Sequence, residues 1–254
     1  MTPTGIPAAV GDHGGSTYAW TLSGGTIASG QGTNAITLDA GTPGTTMTLG
    51  VTETSAANCS SPAASAKMQV DFLDVAPSHI FHDFVDTVAR NGVTAGCGGG
   101  SYCPAAPNTR AQMAVFLLKS KFGADHVPPP ASGTVFADVP QGAFAADWIE
   151  ELSALGITGG CGGGNYCPLA PVTRAQMAVF LLKALEGSTY VPPAATGTIF
   201  GDVPQGDFAA SWIEELYNRS ITGGCHASPL LYCPDNPNTR GQMAVFLTKT
   251  FSLQ

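Results

Sequence analysis

Charge is scarce in this chain: Asp, Glu, Lys and Arg make up only 11% of its 254 residues, and the ten basic ones are five lysines and five arginines. With a formal net charge of −8 there is no clustered basic surface to neutralise phosphates, which excludes nucleic acid as a partner. No apolar run approaches 18 residues, so no membrane span is expected. Catalytic sets are missing too. The five histidines, at 13, 79, 82, 126 and 226, share no common spacing, no paired-carboxylate or Ser/His/Asp arrangement stands out, and the glycine triplets are not a G-x-G-x-x-G after a strand. These absences predict a protein that is not an enzyme and uses no cofactor or metal; His79 and His82, i and i+3 beside Asp83, form at most a chance metal pair. "TPTGIPAAVGDHGG" after Met1 has neither the basic nor the apolar region of a signal peptide, which suggests a mature segment of a longer secreted protein.

What is abundant is glycine (32), proline (19) and, for a chain this poor in lysine, cysteine (7). Cys59 stands alone and the other six form close pairs, Cys97 with Cys103, Cys161 with Cys167 and Cys225 with Cys233. That usage favours an oxidising, extracellular compartment and local disulfides. A C-x5-C loop with no histidine repeated beside it supplies half a zinc site at best, and it lacks the C-x-x-C of a thioredoxin-type site. Closing a loop this short contributes about 2 to 3 kcal/mol by constraining the unfolded chain.

The three cysteine loops belong to three repeats beginning at "FLDV", "FADV" and "FGDV". Asp74, Asp138 and Asp202 lie 64 apart, and Arg110, Arg174 and Arg240 lie 64 and then 66 apart, the two extra residues falling in the third loop. Each repeat reads as helix, loop, helix. In the second, Phe144, Trp148, Leu152 and Leu155, widened by Ile149, predict an amphipathic helix with Glu150 and Glu151 on its other side. "PVTRAQMAVFLLKAL" predicts another, apolar on every side from Met177 to Leu182 and so surrounded by protein, and three such helices suit a central bundle. The linkers "HVPPPASGTVF" and "YVPPAATGTIF" end in a short β-like pair. Residues 1 to about 70 alternate apolar and polar in "STYAWTLSGG", "NAITLDAG" and "TMTLGVTET", which predicts a small β-sandwich.

Thr-Arg-x-Gln recurs at 109–112, 173–176 and 239–242. Thr and Gln three residues apart form a capping box. The arginine is not explained by capping, because a cation in the first turn faces the positive end of the helix macrodipole. Two roles fit it: a salt bridge to the repeated aspartate, or a guanidinium that joins the free helix N–H groups in an anion pocket. Lys119, Lys183 and Lys249, nine residues after each arginine, read as snorkelling side chains at helix ends. Asn218 heads an N-x-[ST] sequon at a helix end.

"FxDVP", an aromatic in the first helix, "GIT.G" and "TR" opening an apolar helix together resemble S-layer homology (SLH) domains, in three copies over about 180 residues. "YAWTLSGGTIASGQGTNAITLDAG" is similar to the tandem immunoglobulin-like modules of bacterial surface proteins, without their usual early strand and the cysteine that would pair with Cys59. The resemblances imply a multidomain α+β fold: an incomplete immunoglobulin-like sandwich at 1–70, then a mainly α-helical pseudo-threefold bundle with repeats at 71–126, 135–190 and 199–254. They further imply a non-catalytic protein at the extracellular cell surface, anchored to an anionic cell-wall or envelope polysaccharide such as a pyruvylated one. Its ligand-binding residues would be Arg110, Arg174 and Arg240 as carboxylate clamps, Asp74, Asp138 and Asp202 as hydroxyl acceptors, and Trp148 and Trp212, with Phe84 in repeat one, as stacking surfaces; helical spacing equally allows the tryptophans a core role. The chain departs from the family in reading TRAQ or TRGQ for TRAE. The alternative is a structural subunit that self-assembles into an S-layer or filament, its sandwich joining neighbours through an open sheet edge and Cys59.

Overall fold

The computed structural model describes residues 3–254, which fall into two compact units, one running up to Arg90 together with Ala95–Tyr102 and the other Asn91–Thr94 with Cys103–Gln254. The first unit contains β1 (Ile6–Ala9), β2 (Thr17–Ser23), β3 (Gly25–Ser29), β4 (Ala35–Ala40), β5 (Thr46–Thr54), β6 (Ala64–Gln69) and α1 (His82–Arg90). The strands make two antiparallel three-stranded sheets, ordered β1-β4-β3 and β2-β5-β6. Alternation works as the sequence implies: Tyr18 and Trp20 of β2, Ile36 and Leu38 of β4, and Met47 and Leu49 of β5 enter one apolar core shared by both sheets. Where an early strand was expected to be missing, β1 pairs with β4, Pro7 opposite Thr37. "IPAA" carries little strand propensity, and its proline is tolerated because β1 is an edge strand, where a missing N–H costs least. Cys59 is an exposed free thiol.

Helix α1 follows directly on this sheet region. Both ring nitrogens of His82 face carboxylates, Nδ1 at 2.9 Å from Asp83 and Nε2 at 3.2 Å from Asp71, so the ring clips the start of the helix to the segment after β6. The Asp83 contact raises the histidine's pKa, burial opposes it, and Asp71 adds to the rise.

The second unit holds α2 (Arg110–Phe122), α3 (Ala146–Ala154), α4 (Arg174–Glu186), α5 (Ala210–Asn218), the two-residue strands β7 (His226–Ala227) and β8 (Leu230–Leu231), and α6 (Arg240–Phe251). As the apolar runs require, α2, α4 and α6 touch one another, and Met113, Leu117, Met177, Leu181, Met243 and Leu247 are buried among them. The outer helices α3 and α5 pack on α2 and α4 respectively. Their buried faces differ from the expected stripe. In α3 Ala146, Ile149 and Leu152 are covered, whereas Phe144 and Leu155 lie outside the helix and are exposed. The cause is local: Ala145 and Ala209, at φ +61° and +63°, turn the chain sharply immediately before each helix. The linkers form no β pair. Their turns are held instead by carboxylates of the following helix: Glu150 accepts the N–H of Ser132 and Gly133, and Glu214 those of Thr196 and Gly197, each at 2.7 Å. The third loop, longer by two residues, folds as the β7–β8 hairpin over 226–231.

At the head of the central helices the three pre-helix segments close a ring of backbone hydrogen bonds. The N–H of Asn108 donates to Asn238 O, that of Val172 to Asn108 O and that of Asn238 to Val172 O, at 2.8–2.9 Å. All three side chains are fully buried, yet Asn108 Oδ1 and Nδ2 have no hydrogen-bond partner among the described residues. An unsatisfied buried amide costs about 1–3 kcal/mol, and repeat two already places valine at this position. Asn108→Val is therefore expected to raise the unfolding free energy by about 1 kcal/mol in chemical denaturation; a loss of that size would show that the amide is satisfied in solution.

Candidate functional site

Each Thr-Arg-x-Gln segment opens a central helix as the capping box requires. Thr109 Oγ1 accepts from Gln112 N at 3.3 Å and Gln112 Oε1 accepts from Thr109 N at 3.2 Å, and the same pair of bonds recurs at Thr173 and Thr239. The arginines are at the first helical position and buried, Arg110 and Arg174 each 4% exposed and Arg240 3%. Neither Arg110 nor Arg174 makes a salt bridge among the described residues. Arg110 Nε donates to Tyr166 O at 2.7 Å and Arg174 Nε to Tyr232 O at 2.8 Å, each reaching into the following repeat. The tyrosine answers in kind, Tyr166 Oη donating to Arg110 O and Tyr232 Oη to Arg174 O, both at 2.8 Å. Each guanidinium also stacks: Arg110 is 4.7 Å from the Tyr166 ring centroid and 5.3 Å from that of Phe180, and Arg174 is 4.7 Å from Tyr232 and 5.5 Å from Phe246. Arg240 lies 5.3 Å from the Phe116 ring. Burial lowers the pKa of Arg110 and Arg174, although a guanidinium remains charged at any working pH.

With Nε committed, Nη2 of Arg110 and of Arg174 are buried and without a hydrogen-bond partner. Arg110 opens onto a groove of about 350 Å³ lined by Thr158 and Gly160 of the "ITGG" turn, Cys161 and Cys167, Gln176, Phe180 and Lys183 of α4, and Phe208. No carboxylate lines it. Phe208, 69% exposed, presents its ring there from the third repeat. The groove's wall depends on Gly160, φ +88°, where an added Cβ would run into the carbonyl of Asn165; Gly224, φ +87°, is its counterpart in the third repeat, where a Cβ would meet the carbonyl of Leu231.

The aspartates are occupied by backbone N–H groups. Asp138 accepts the N–H groups of Tyr166 and Cys167, both at 2.7 Å, and Asp202 those of Tyr232 and Cys233 at 2.8 and 2.7 Å; in repeat one Asp74 accepts from Tyr102 N at 2.7 Å. Desolvation tends to raise the Asp138 pKa, but the backbone donors and the charge of Arg110 outweigh it and hold the carboxyl below its ordinary range. Asp138 thus fixes the peptide whose carbonyl holds Arg110. Trp148 and Trp212 are half-buried elsewhere on α3 and α5, edge-on to His126 at 5.9 Å and to Tyr190 at 6.0 Å, and Trp148 does not line the Arg110 groove. Sequence reading missed the tyrosines, although Tyr102, Tyr166 and Tyr232 precede the second cysteine of every loop.

Cys161–Cys167 and Cys225–Cys233 are disulfides. Asp202 lies close to the sulfurs of Cys225 and Cys233, but the sulfurs are bonded to each other and the carboxylate already accepts two N–H groups, so these groups are committed. Replacing Cys161 and Cys167 by serine is expected to cost about 2 kcal/mol of stability, read as a lower midpoint in urea, and to weaken any ligand of the groove the pair lines. An unchanged midpoint would mean that the glycine turns and Asp138 hold the loop unaided.

Residues 71–114 and 135–178 match the S-layer homology domain. The segment before them, 9–70, matches a PKD-like domain. The third repeat is tied to the first two by its own Arg240, capping box and cysteine loop. Among curated relatives, a cell surface protein of Thermoanaerobacter kivui is 35% identical over 95 residues, 37% of this chain and 12% of that protein. Exoglucanase XynX of Acetivibrio thermocellus is 25% identical over 188 residues, 73% of this chain and 17% of the enzyme. The chain thus spans under a fifth of the length of either relative. SLH repeats and the surface relative place the protein at the cell surface, and no helix is long and apolar enough to cross a membrane.

Proposed function

We propose that the SLH repeats are a non-catalytic anchor that holds the protein on an anionic cell-wall or envelope polysaccharide, a carboxylate of the polymer being received by the guanidinium of each groove. One observation carries this reading: the buried Nη2 of Arg110 has no protein partner, and it belongs to a partly apolar groove whose charged side chains, Arg110 and Lys183, are both cations, with no acid in its lining. A buried charged donor without a partner is costly, so an oxyanion gains both charge and hydrogen bonds there. Three related grooves around a pseudo-threefold axis, a relation supported by the ring of backbone bonds at 108, 172 and 238, would add their affinities through effective concentration. The PKD-like part is then an immunoglobulin-like spacer. Co-sedimentation with a panel of wall polysaccharide from Thermoanaerobacter kivui, a pyruvate-ketal polymer and polygalacturonate tests the reading. Salt-sensitive binding to at least one acidic polymer, lost when its acid groups are removed or esterified, is expected; binding to none would overturn it.

Self-assembly is the second reading, favoured by the β domain. β1 and β6 are both edge strands, and they flank an apolar cavity of about 200 Å³ floored by Trp20, Leu49 and Val51. An added strand would fill it, and the exposed Cys59 could lock the contact. Only monodisperse particles in electron micrographs of concentrated protein, oxidised and reduced, would sink this reading.

A further inference from the structure

The three lysines that follow the arginines by nine residues are not equivalent. Lys119 Nζ donates to Gly92 O at 3.3 Å and lies 6.0 Å from the Trp148 ring; Lys249 Nζ donates to Ser220 O at 3.4 Å. Lys183 is half-buried on α4, lines the Arg110 groove, and its ammonium has no hydrogen bond or ion pair among the described residues. The carboxylate nearest in sequence, Glu186 one turn on, is taken by Arg219. The rest of the lining adds donors rather than acceptors: Gln176 uses its Oε1 on Thr173 N, which leaves its amide N–H groups for a ligand, and the Thr158 hydroxyl accepts from Gly160 N and keeps its own hydrogen to give.

We propose that Lys183 is the second cationic contact of this groove, so that the Arg110 groove takes a saccharide unit carrying two acidic groups, one on the guanidinium and one on the ammonium. The inference rests on the anchoring reading above and assigns that site its ligand charge. Two cations lining one groove, with the Phe208 ring beside them, discriminate against neutral and singly charged sugars, because a lone desolvated cation left unpaired in the complex costs affinity. Lys119 and Lys249 are already spent on carbonyls, which makes this groove distinct from its relatives.

The test compares Lys183→Gln, Lys119→Gln and Lys249→Gln with the wild type for binding to the same three polysaccharides, after thermal melts confirm that all are folded. Lys183→Gln is expected to weaken binding about 10-fold and to lower the salt dependence by about one charge, with the other two within about twofold of wild type. Reductive methylation gives a readout independent of substitution: Lys183 should react readily in the free protein and be protected by bound polysaccharide, while Lys119 and Lys249 are unaffected by the polymer. A wild type that binds while Lys183→Gln matches it, or a Lys183 that is not protected, overturns the second contact and leaves the anchor standing. Equal losses at all three lysines overturn the distinction between grooves. A wild type that binds none of the polymers overturns the anchoring reading and this inference with it.

Discussion

Substituting Arg110, Arg174 and Arg240 by alanine together is expected to abolish polysaccharide binding, a loss of about 100-fold or more, since each charge-assisted pair contributes about 1.5–3 kcal/mol and the three add through the shared polymer. Alanine also removes the stacking on Tyr166 and Phe180 and leaves the Tyr166 carbonyl without its donor, so part of the effect at Arg110 is structural. A triple arginine-to-lysine variant separates the contributions. An ammonium keeps the charge but cannot donate to the carbonyl and to a ligand in the planar fork that guanidinium provides. The lysine variant should stay folded and bind about 10-fold more weakly than wild type, with its salt sensitivity retained. Folded alanine protein that co-sediments as well as wild type would remove the arginines from the site. Lysine protein that binds at full strength would reduce their role to charge alone.

Much of this arrangement is legible in the sequence wherever the physics is local. Thr109, Gln112 and their equivalents cap the central helices because a capping box is a four-residue contract between side chain and backbone. The apolar run Met177–Leu182 had to be surrounded, and all of it is buried except Val179, which lines the Arg110 groove. Non-local facts were hidden. The arginine had two possible partners by chemistry, an aspartate or a ligand, and takes neither through Nε: it binds a carbonyl 56 residues away, which no periodicity announces because any residue type carries a carbonyl. Glu150 was placed only on the side of the helix opposite its apolar stripe, and its true work, receiving the N–H groups of a linker 17 and 18 residues upstream, depends on a turn that only the folded chain defines. Phe144 matched the helical spacing by coincidence, since Ala145 in a left-handed conformation starts the helix after it. The strand β1 went unread because "IPAA" has neither β-branched alternation nor the resembled modules' cysteine, and its proline is tolerated only because β1 is an edge strand.

Asp138→Ala is expected to lower stability by about 1–3 kcal/mol, discounted for partial exposure, because it deprives the Tyr166 and Cys167 N–H groups of a charged acceptor at once. Its second effect is on the neighbouring repeat. Freed of the aspartate, the Tyr166 peptide can turn its carbonyl away from Arg110 Nε, so the guanidinium loses its orientation and the Arg110 groove weakens although Asp138 does not line it. Asp138 is a positioning residue on this account, and Asp138→Asn distinguishes that role from a hydroxyl-acceptor role. The amide oxygen can still accept one of the two N–H groups, so binding should recover in part, whereas a groove that needed a carboxylate on the sugar would stay weak. Acid makes the same substitution reversibly. The folded-state pKa of Asp138 is depressed, so its stabilisation is complete above the unfolded value near pH 4 and is lost as the pH falls through the folded value. Wild type should therefore lose more stability than Asp138→Asn between about pH 5 and pH 2, measured as the shift in urea midpoint, and parallel curves would show that the carboxylate's charge contributes nothing to holding the loop.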